Sequence, residues 1–446
     1  MDSRYYRARR RLSMKASQLA QWCIPCWLFC AQYIAVCAES EASPEAFKRW
    51  DLEELFETPE HHWIDNSSPI RSLLIKGEQY NGKSTEIFAY FSTPSRLKGQ
   101  SSFESDLPAI VLLHGGGGTA FSQWVQMWVD RGYAAIALDL GGKQPKAPEF
   151  DPATGRIQRH YDFQRELRMR LENGGPLDDV NNKILNVDGD LTNDWQYHAV
   201  SAAIRAHSFL RSLPEVNPEK TAITGISWGG YLTCLTASVD HRFKAAVPVY
   251  GCGFLAEGES VQRVLIERNN VSQQKKWVKH HDPSEFLPHC KVPIMFVNGT
   301  NDKHYPLGSY SRSYQLVRGE KAIRIEAGMA HSHQAGWAPP EIYRFIDQKL
   351  LDRQPLCRIA GTTMEDSVFY AHIAQGTKVA SASLQYTKDA GPLVNRIWVT
   401  IDATVSGDVV SARVPQDATI WCLAVKDENG GMVTTDVTFA NEGENE

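Results

Sequence analysis

The segment Thr221-Ala222-Ile223-Thr224-Gly225-Ile226-Ser227-Trp228-Gly229-Gly230-Tyr231-Leu232 decides the fold. Thr221–Thr224 reads as a buried strand and Gly229–Val239 as an apolar helix, so Gly225–Gly229, a G-x-S-x-G sequence, is the turn between them. With Gly near about 7% of residues, such a match arises by chance in roughly one chain of this length in seven. The strand-turn-helix setting is what makes it specific. Flanking glycines let strand and helix pack closely, and the turn lifts the Ser227 hydroxyl above the sheet, where it can act as a nucleophile. The competing reading is a plain Gly-rich strand-to-helix turn.

Outward from this turn, apolar strands alternate with helices. Ala109–Leu113 ends at His114 and a run of glycines, Ala134–Leu140 closes on Asp139, and Ala245–Tyr250, Pro293–Val297 and Ala322–Glu326 follow the serine. Helices are expected over Phe121–Arg131, from Asp194 to about Leu213, and from Pro339–Pro340 to Leu351. Strands buried on both faces and joined by helices imply a mostly parallel sheet. Residues 69–94, with Asn81–Gly82 at their turn, predict an antiparallel hairpin before it. Residues 143–193 are polar, too long for an ordinary connection, and read as a lid. After Asp352 the period becomes two over 367–373, 379–386, 395–405, 409–414, 419–425 and 433–439, which predicts a small β-sandwich of immunoglobulin or fibronectin type. The expected domains are 39–352 for the α/β part and 353–440 for the sandwich, with a disordered tail at 441–446.

A serine needs a base and an orienting carboxylate, each on a loop after a later strand. The strand at 293–297 runs into Asn298-Gly299-Thr300-Asn301-Asp302, and the strand at 322–326 into Ala327-Gly328-Met329-Ala330-His331. The order Ser227, Asp302, His331 can therefore converge at the carboxyl ends of parallel strands. Asp139 and Asp282 compete with Asp302, and His333 shares the loop of His331. His331 is preferred because it comes first after the strand and small Ser332 leaves its ring room to turn. Among Gly115–Gly118, the backbone N–H groups of Gly116 and Gly117, with that of Trp228, are expected to face the negative oxygen of a tetrahedral intermediate. A phosphate loop would require a following Lys–Ser/Thr, which is absent. Trp228, Tyr305, Trp337 and Tyr250 are candidates for a substrate-stacking cleft, against the alternative that they are core.

Over 446 residues the net charge is −5, which offers nucleic acid no basic surface. Residues 1–38 start with arginines and end in an apolar run with Val36 and Ala38 at the −3 and −1 positions, a signal-peptide pattern cleaved before Glu39. A membrane anchor or a lipidated Cys37 is the alternative; after cleavage no stable membrane insertion is expected. Cys23, Cys26, Cys30 and Cys37 fall in that leader, leaving Cys234, Cys252, Cys290, Cys357 and Cys422, among which one disulfide could form. No pattern calls for a metal or cofactor, and the oligomeric state is left open.

The segments HGGGG, GISWGG and NGTND and the His331 loop resemble the dienelactone hydrolase, acetyl xylan esterase and prolyl oligopeptidase relatives within the α/β-hydrolases, over roughly Pro69 to Leu351. The resemblance implies an α/β-hydrolase fold and a secreted or periplasmic serine hydrolase in which Ser227, Asp302 and His331 are nucleophile, acid and base. The substrate it implies is an acylated carbohydrate or another ester. A peptidase of the prolyl oligopeptidase type, or an inert glycan-binding protein on this scaffold, are the other readings. No β-propeller precedes the hydrolase part, which weakens the peptidase reading.

Overall fold

The computed structural model describes residues 47–99 and 104–440. The expected export signal and the tail at 441–446 lie outside the described residues, as do the leader cysteines. Among the described residues no helix is long and apolar enough to cross a membrane.

Nine strands form the central sheet: β1 (His61–Asp65), β2 (Arg71–Lys76), β3 (Glu86–Ser92), β4 (Leu107–Leu113), β5 (Ala134–Leu138), β6 (Val216–Ile226), β7 (Ala245–Val249), β8 (Ile294–Gly299) and β9 (Lys321–Glu326). Their spatial order is β1-β2-β3-β5-β4-β6-β7-β8-β9. The first three strands pair antiparallel and β3 meets β5 antiparallel, whereas every pair from β5 to β9 is parallel. The apolar runs of β4, β5 and β7 are buried on both faces, because helices cover the two sides of a parallel sheet. The expected hairpin is β2 and β3. Strand β1 was not anticipated: its HHWID sequence is half exposed and carries no apolar alternation.

Helices α1 (Ser122–Val129), α2 (Trp195–Ser212), α3 (Trp228–Val239), α4 (Leu307–Leu316) and α5 (Pro340–Leu351) flank the sheet. Asp194 precedes α2 without capping it; its carboxylate sits 3.1 Å from His281 Nε2 instead. Residues 143–193 form two short antiparallel ribbons and several single helical turns rather than a packed domain.

Beyond α5 the chain is all β. One sheet has the order β10 (Ile359–Glu365), β11 (Val368–Ile373), β15 (Val409–Arg413), β14 (Thr404–Ser406), and the other the order β13 (Val399–Asp402), β12 (Val379–Thr387), β16 (Ile420–Asp427), β17 (Met432–Thr434), with β18 (Thr438–Phe439) on β16. The run 395–405, read as one strand, is divided between the two sheets. Strand β10 was missed because nearly all its side chains are exposed. The module is tied to the hydrolase part by the two-pronged pair of Arg344 on α5 with Asp427, at 3.1 and 2.8 Å, and by Glu341, which accepts the Met432 N–H at 2.7 Å. Cys234, Cys252, Cys290, Cys357 and Cys422 are all buried and unpaired, so the one disulfide the sequence left possible does not form. Each is an apolar filler in its core.

Candidate active site

Ser227 terminates β6 and opens α3 with φ 58° and ψ −115°, a left-handed conformation that a side chain adopts only when its surroundings enforce it. The enforcement is visible on both sides. A Cβ on Gly225 would lie 2.1 Å from Gly229 O, and one on Gly229 would lie 2.0 Å from Leu113 O. The two motif glycines are therefore demanded by the contact between helix and strand ends. The Ser227 N–H donates to Val249 O at 2.8 Å, fixing the elbow to β7.

His331 Nε2 lies 3.0 Å from Ser227 Oγ, and His331 Nδ1 lies 2.6 Å from Asp302 Oδ2. The other carboxylate oxygen of Asp302 accepts the N–H groups of His304 and Tyr305 at 2.7 and 3.1 Å. A carboxylate so held keeps Nδ1 as the donor, and Nε2 is left to accept the serine proton. Asp139 and Asp282 stand elsewhere: Asp139 accepts from Thr119 and from the N–H groups of Gly141 and Lys143, and Asp282 accepts from Phe254, Leu255 and Ser284.

His333 is turned away from the serine. Its Nε2 accepts the Gly115 N–H at 3.0 Å, its ring packs 4.6 Å from that of Phe121, and burial pushes its pKa down to about 3.

The glycine loop needs one correction. Gly117 does not offer a free donor, because its N–H is taken by Asp178 Oδ2 at 2.9 Å. Burial would raise the Asp178 carboxyl, but Lys183, His114 and that N–H bring it below the ordinary carboxylate range. The N–H groups of Gly116 and Trp228 have no acceptor among the described residues, and the two residues adjoin: a Cβ on Gly116 would lie 2.9 Å from Trp228 Cδ1.

The aromatic cleft is also revised. Tyr305 is fully buried, its ring parallel to that of His331 at 6.2 Å, and Trp337, 9% exposed, stacks on Trp124 at 5.4 Å. Tyr250 packs 4.4 Å from His331 and donates to Ala330 O at 2.7 Å. These rings shape and desolvate the base loop and offer no open face. Trp228 alone keeps a partly exposed ring, lining a pocket of about 460 Å³ with Gly116, Asp178, Lys183, Arg165 and Lys143. Lys183, 5% exposed, lies over the Trp195 and Trp228 rings and 3.5 Å from Asp178. Neither Asp178 nor Lys183 could be singled out from sequence: both lie in the polar 143–193 segment, which has no periodicity to place them.

A strained serine between a parallel strand and a helix, with a histidine and a carboxylate delivered by later strands, is the arrangement of the α/β-hydrolases. Residues 97–333, more than half of the 446, match the dienelactone hydrolase family, and the chain belongs to it. A sequence relative, the uncharacterized peptidase YuxL of Bacillus subtilis (strain 168), is 22% identical over 263 residues, covering 55% of this chain and 32% of that protein. The chain thus spans about a third of that relative's length. Among solved structures, an acetyl xylan esterase from Paenibacillus sp. R4 is similar at 19% identity and TM-score 0.48, over 70% of this chain and 96% of that one. An acylaminoacyl peptidase of Pyrococcus horikoshii is similar at 16% identity and TM-score 0.44, over 65% and 48%.

Proposed function

We propose that the chain is a carboxylic-ester hydrolase that removes acyl groups, acetyl foremost, from carbohydrate by Ser227 acyl transfer. The observation that carries this reading is His331, hydrogen-bonded at 3.0 Å to Ser227 and at 2.6 Å to Asp302. His331 Nε2 takes the Ser227 proton as Oγ attacks the ester carbonyl. The developing oxyanion is met by the Gly116 and Trp228 N–H groups, and Asp302 holds the imidazolium. The imidazolium then protonates the departing alcohol, and water, activated by the same histidine, releases the acid from Ser227. The polar lining of the pocket beside Trp228 suits a hydroxyl-rich alcohol, since buried polar groups favour a partner that can pair with them.

The same proposal takes 1–38 as an export signal, which would make the mature protein secreted or periplasmic. It takes 353–440 as an accessory domain of immunoglobulin or fibronectin type and 143–193 as the lid over the pocket. Hydrolysis of p-nitrophenyl acetate and labelling by a fluorophosphonate, both lost in Ser227→Ala, test the chemistry; full turnover by that variant would overturn it. Acetate release from acetylated xylan, set beside cleavage of aminoacyl-naphthylamides, tests the substrate. Faster amide cleavage would favour the peptidase reading, for which the sequence relative described as a peptidase is the support.

A further inference from the structure

Strand β9 ends the central sheet, so one of its backbone edges has no strand paired to it by main-chain hydrogen bonds. An open edge of this kind is ordinarily shielded or paired. Here two buried polar side chains of the C-terminal module pair with it. Thr434 of β17 accepts the Ile325 N–H at 3.2 Å and donates to Ile323 O at 3.4 Å. Gln385 of β12 accepts the Ala327 N–H at 2.9 Å and donates to Ile325 O at 3.3 Å. Ala327 is the residue at which β9 passes into the loop of His331.

The module also grips the other catalytic loop. Asn301, next to Asp302, donates through Nδ2 to the carbonyls of Leu393, Val394 and Arg396 at 3.2, 3.3 and 2.7 Å. From the hydrolase side Glu259 accepts the Leu393 N–H at 2.7 Å, which holds that segment in place. The two loops are joined by Thr300, whose hydroxyl donates to Asn301 Oδ1 at 2.6 Å and accepts the Gly328 N–H at 3.0 Å. A continuous set of hydrogen bonds thus runs from the module through Asn301 and Thr300 to the base loop, and a second enters that loop through Gln385.

We propose that the C-terminal β-module is a positioning part of the active site, in which Gln385 and the 393–396 segment hold the loops of His331 and Asp302 at the spacing the Ser227 hydrogen bond requires. The inference rests on the triad reading. Asn301 and Gln385 are positioning residues in this scheme: neither touches the reacting atoms. A misplacement near 1 Å in such a site costs about a hundredfold in rate, and it falls on kcat more than KM because only transition-state contacts are lost.

The test uses the full chain with Gln385→Leu and Asn301→Ala, and with Arg344→Lys as an interface variant whose partner, Asp427, belongs to neither loop. Turnover of p-nitrophenyl acetate is followed beside the thermal midpoint. Gln385→Leu and Asn301→Ala are expected to lose about ten- to a hundredfold in kcat with KM held within about twofold. Arg344→Lys should lower the thermal midpoint and leave kcat alone. Parental kcat in both loop variants, or the same loss of kcat in Arg344→Lys, would overturn the proposal. The downfield Nδ1 proton resonance of His331 reads the same geometry without turnover. If the parent is neither active nor labelled at Ser227, the hydrolase reading fails by itself, and a resonance unmoved by the two loop variants would then sink the positioning role separately.

Discussion

His333 Nε2 accepts the Gly115 N–H at 3.0 Å, which ties the second histidine of the base loop to the glycine loop and not to Ser227. Burial holds the imidazole neutral, with a pKa of about 3, so the ring nitrogen stays a competent acceptor throughout the neutral range. His333→Ala leaves that N–H buried without a partner, a cost of about 1–3 kcal/mol, and loosens the loop that presents Gly116. The expected outcome is a fall of about tenfold in kcat for p-nitrophenyl acetate with KM little changed, while His331→Ala removes nearly all turnover. Equal losses in the two variants would show that His333 shares the proton transfer.

Asp302 uses one oxygen for two backbone N–H groups and the other for His331. In Asp302→Asn the amide nitrogen cannot accept, so the side chain must abandon either the loop or the histidine, and it no longer balances the imidazolium. A loss of about 10³–10⁴ in kcat is expected, by analogy with the effect of this change in serine-protease triads. Steady-state kinetics at saturating ester would read it; a loss under tenfold would put the orienting carboxylate elsewhere.

The Ser227 elbow was legible because its determinants are local: Gly225 and Gly229 answer contacts made within the same strand and helix ends and with neighbouring Leu113. Which glycine N–H groups of the 115–117 loop are taken by acceptors was not. Gly115, Gly116 and Gly117 are equivalent on paper, and what distinguishes them are acceptors brought from far along the chain, His333 for Gly115 and Asp178 for Gly117. The burial of Tyr305 and Trp337 is equally a product of tertiary packing. Strands β1 and β10 escaped for a different reason, since half-exposed or solvent-facing strands bury no alternating apolar face from which to read them. The hydrogen bonds of Gln385 to Ala327 and Ile325 had no local signal either, since it is a polar residue in a strand whose neighbours read as ordinary alternation.

The glycines divide into two kinds, and substitution should separate them. A Cβ on Gly229 would overlap Leu113 O, a backbone atom that cannot swing aside, so Gly229→Ala must part helix α3 from β4. A destabilisation above about 3 kcal/mol, or failure to accumulate as soluble protein, is expected. Gly328 has φ +71° and open space around its Cβ position. Gly328→Ala should therefore cost only the backbone penalty of about 1–2 kcal/mol. Urea unfolding of the two variants measures the difference, and comparable costs would mean that the elbow has slack which its close contacts do not suggest.

Buried histidines give the fold a definite response to acid. His281 and His198 are pushed down to about 4, and His333 to about 3, chiefly by burial. All three lie below the unfolded value near 6.5, so between the two values the unfolded chain binds more protons. Their contribution to stability is complete above about pH 6.5 and is lost as pH falls toward 4 and 3, each with a slope of up to about 1.4 kcal/mol per pH unit. Asp162 and Asp282, raised by burial, act in the opposite sense, since their folded forms hold protons that the unfolded chain has already released. A single substitution isolates one group from this balance. His281→Gln removes the titrating ring while leaving an amide to face Asp194, and its unfolding free energy should fall less steeply than the parent's between pH 6.5 and 4.5, by about 1 kcal/mol per pH unit. Parallel curves would show that His281 titrates alike in the folded and unfolded chains.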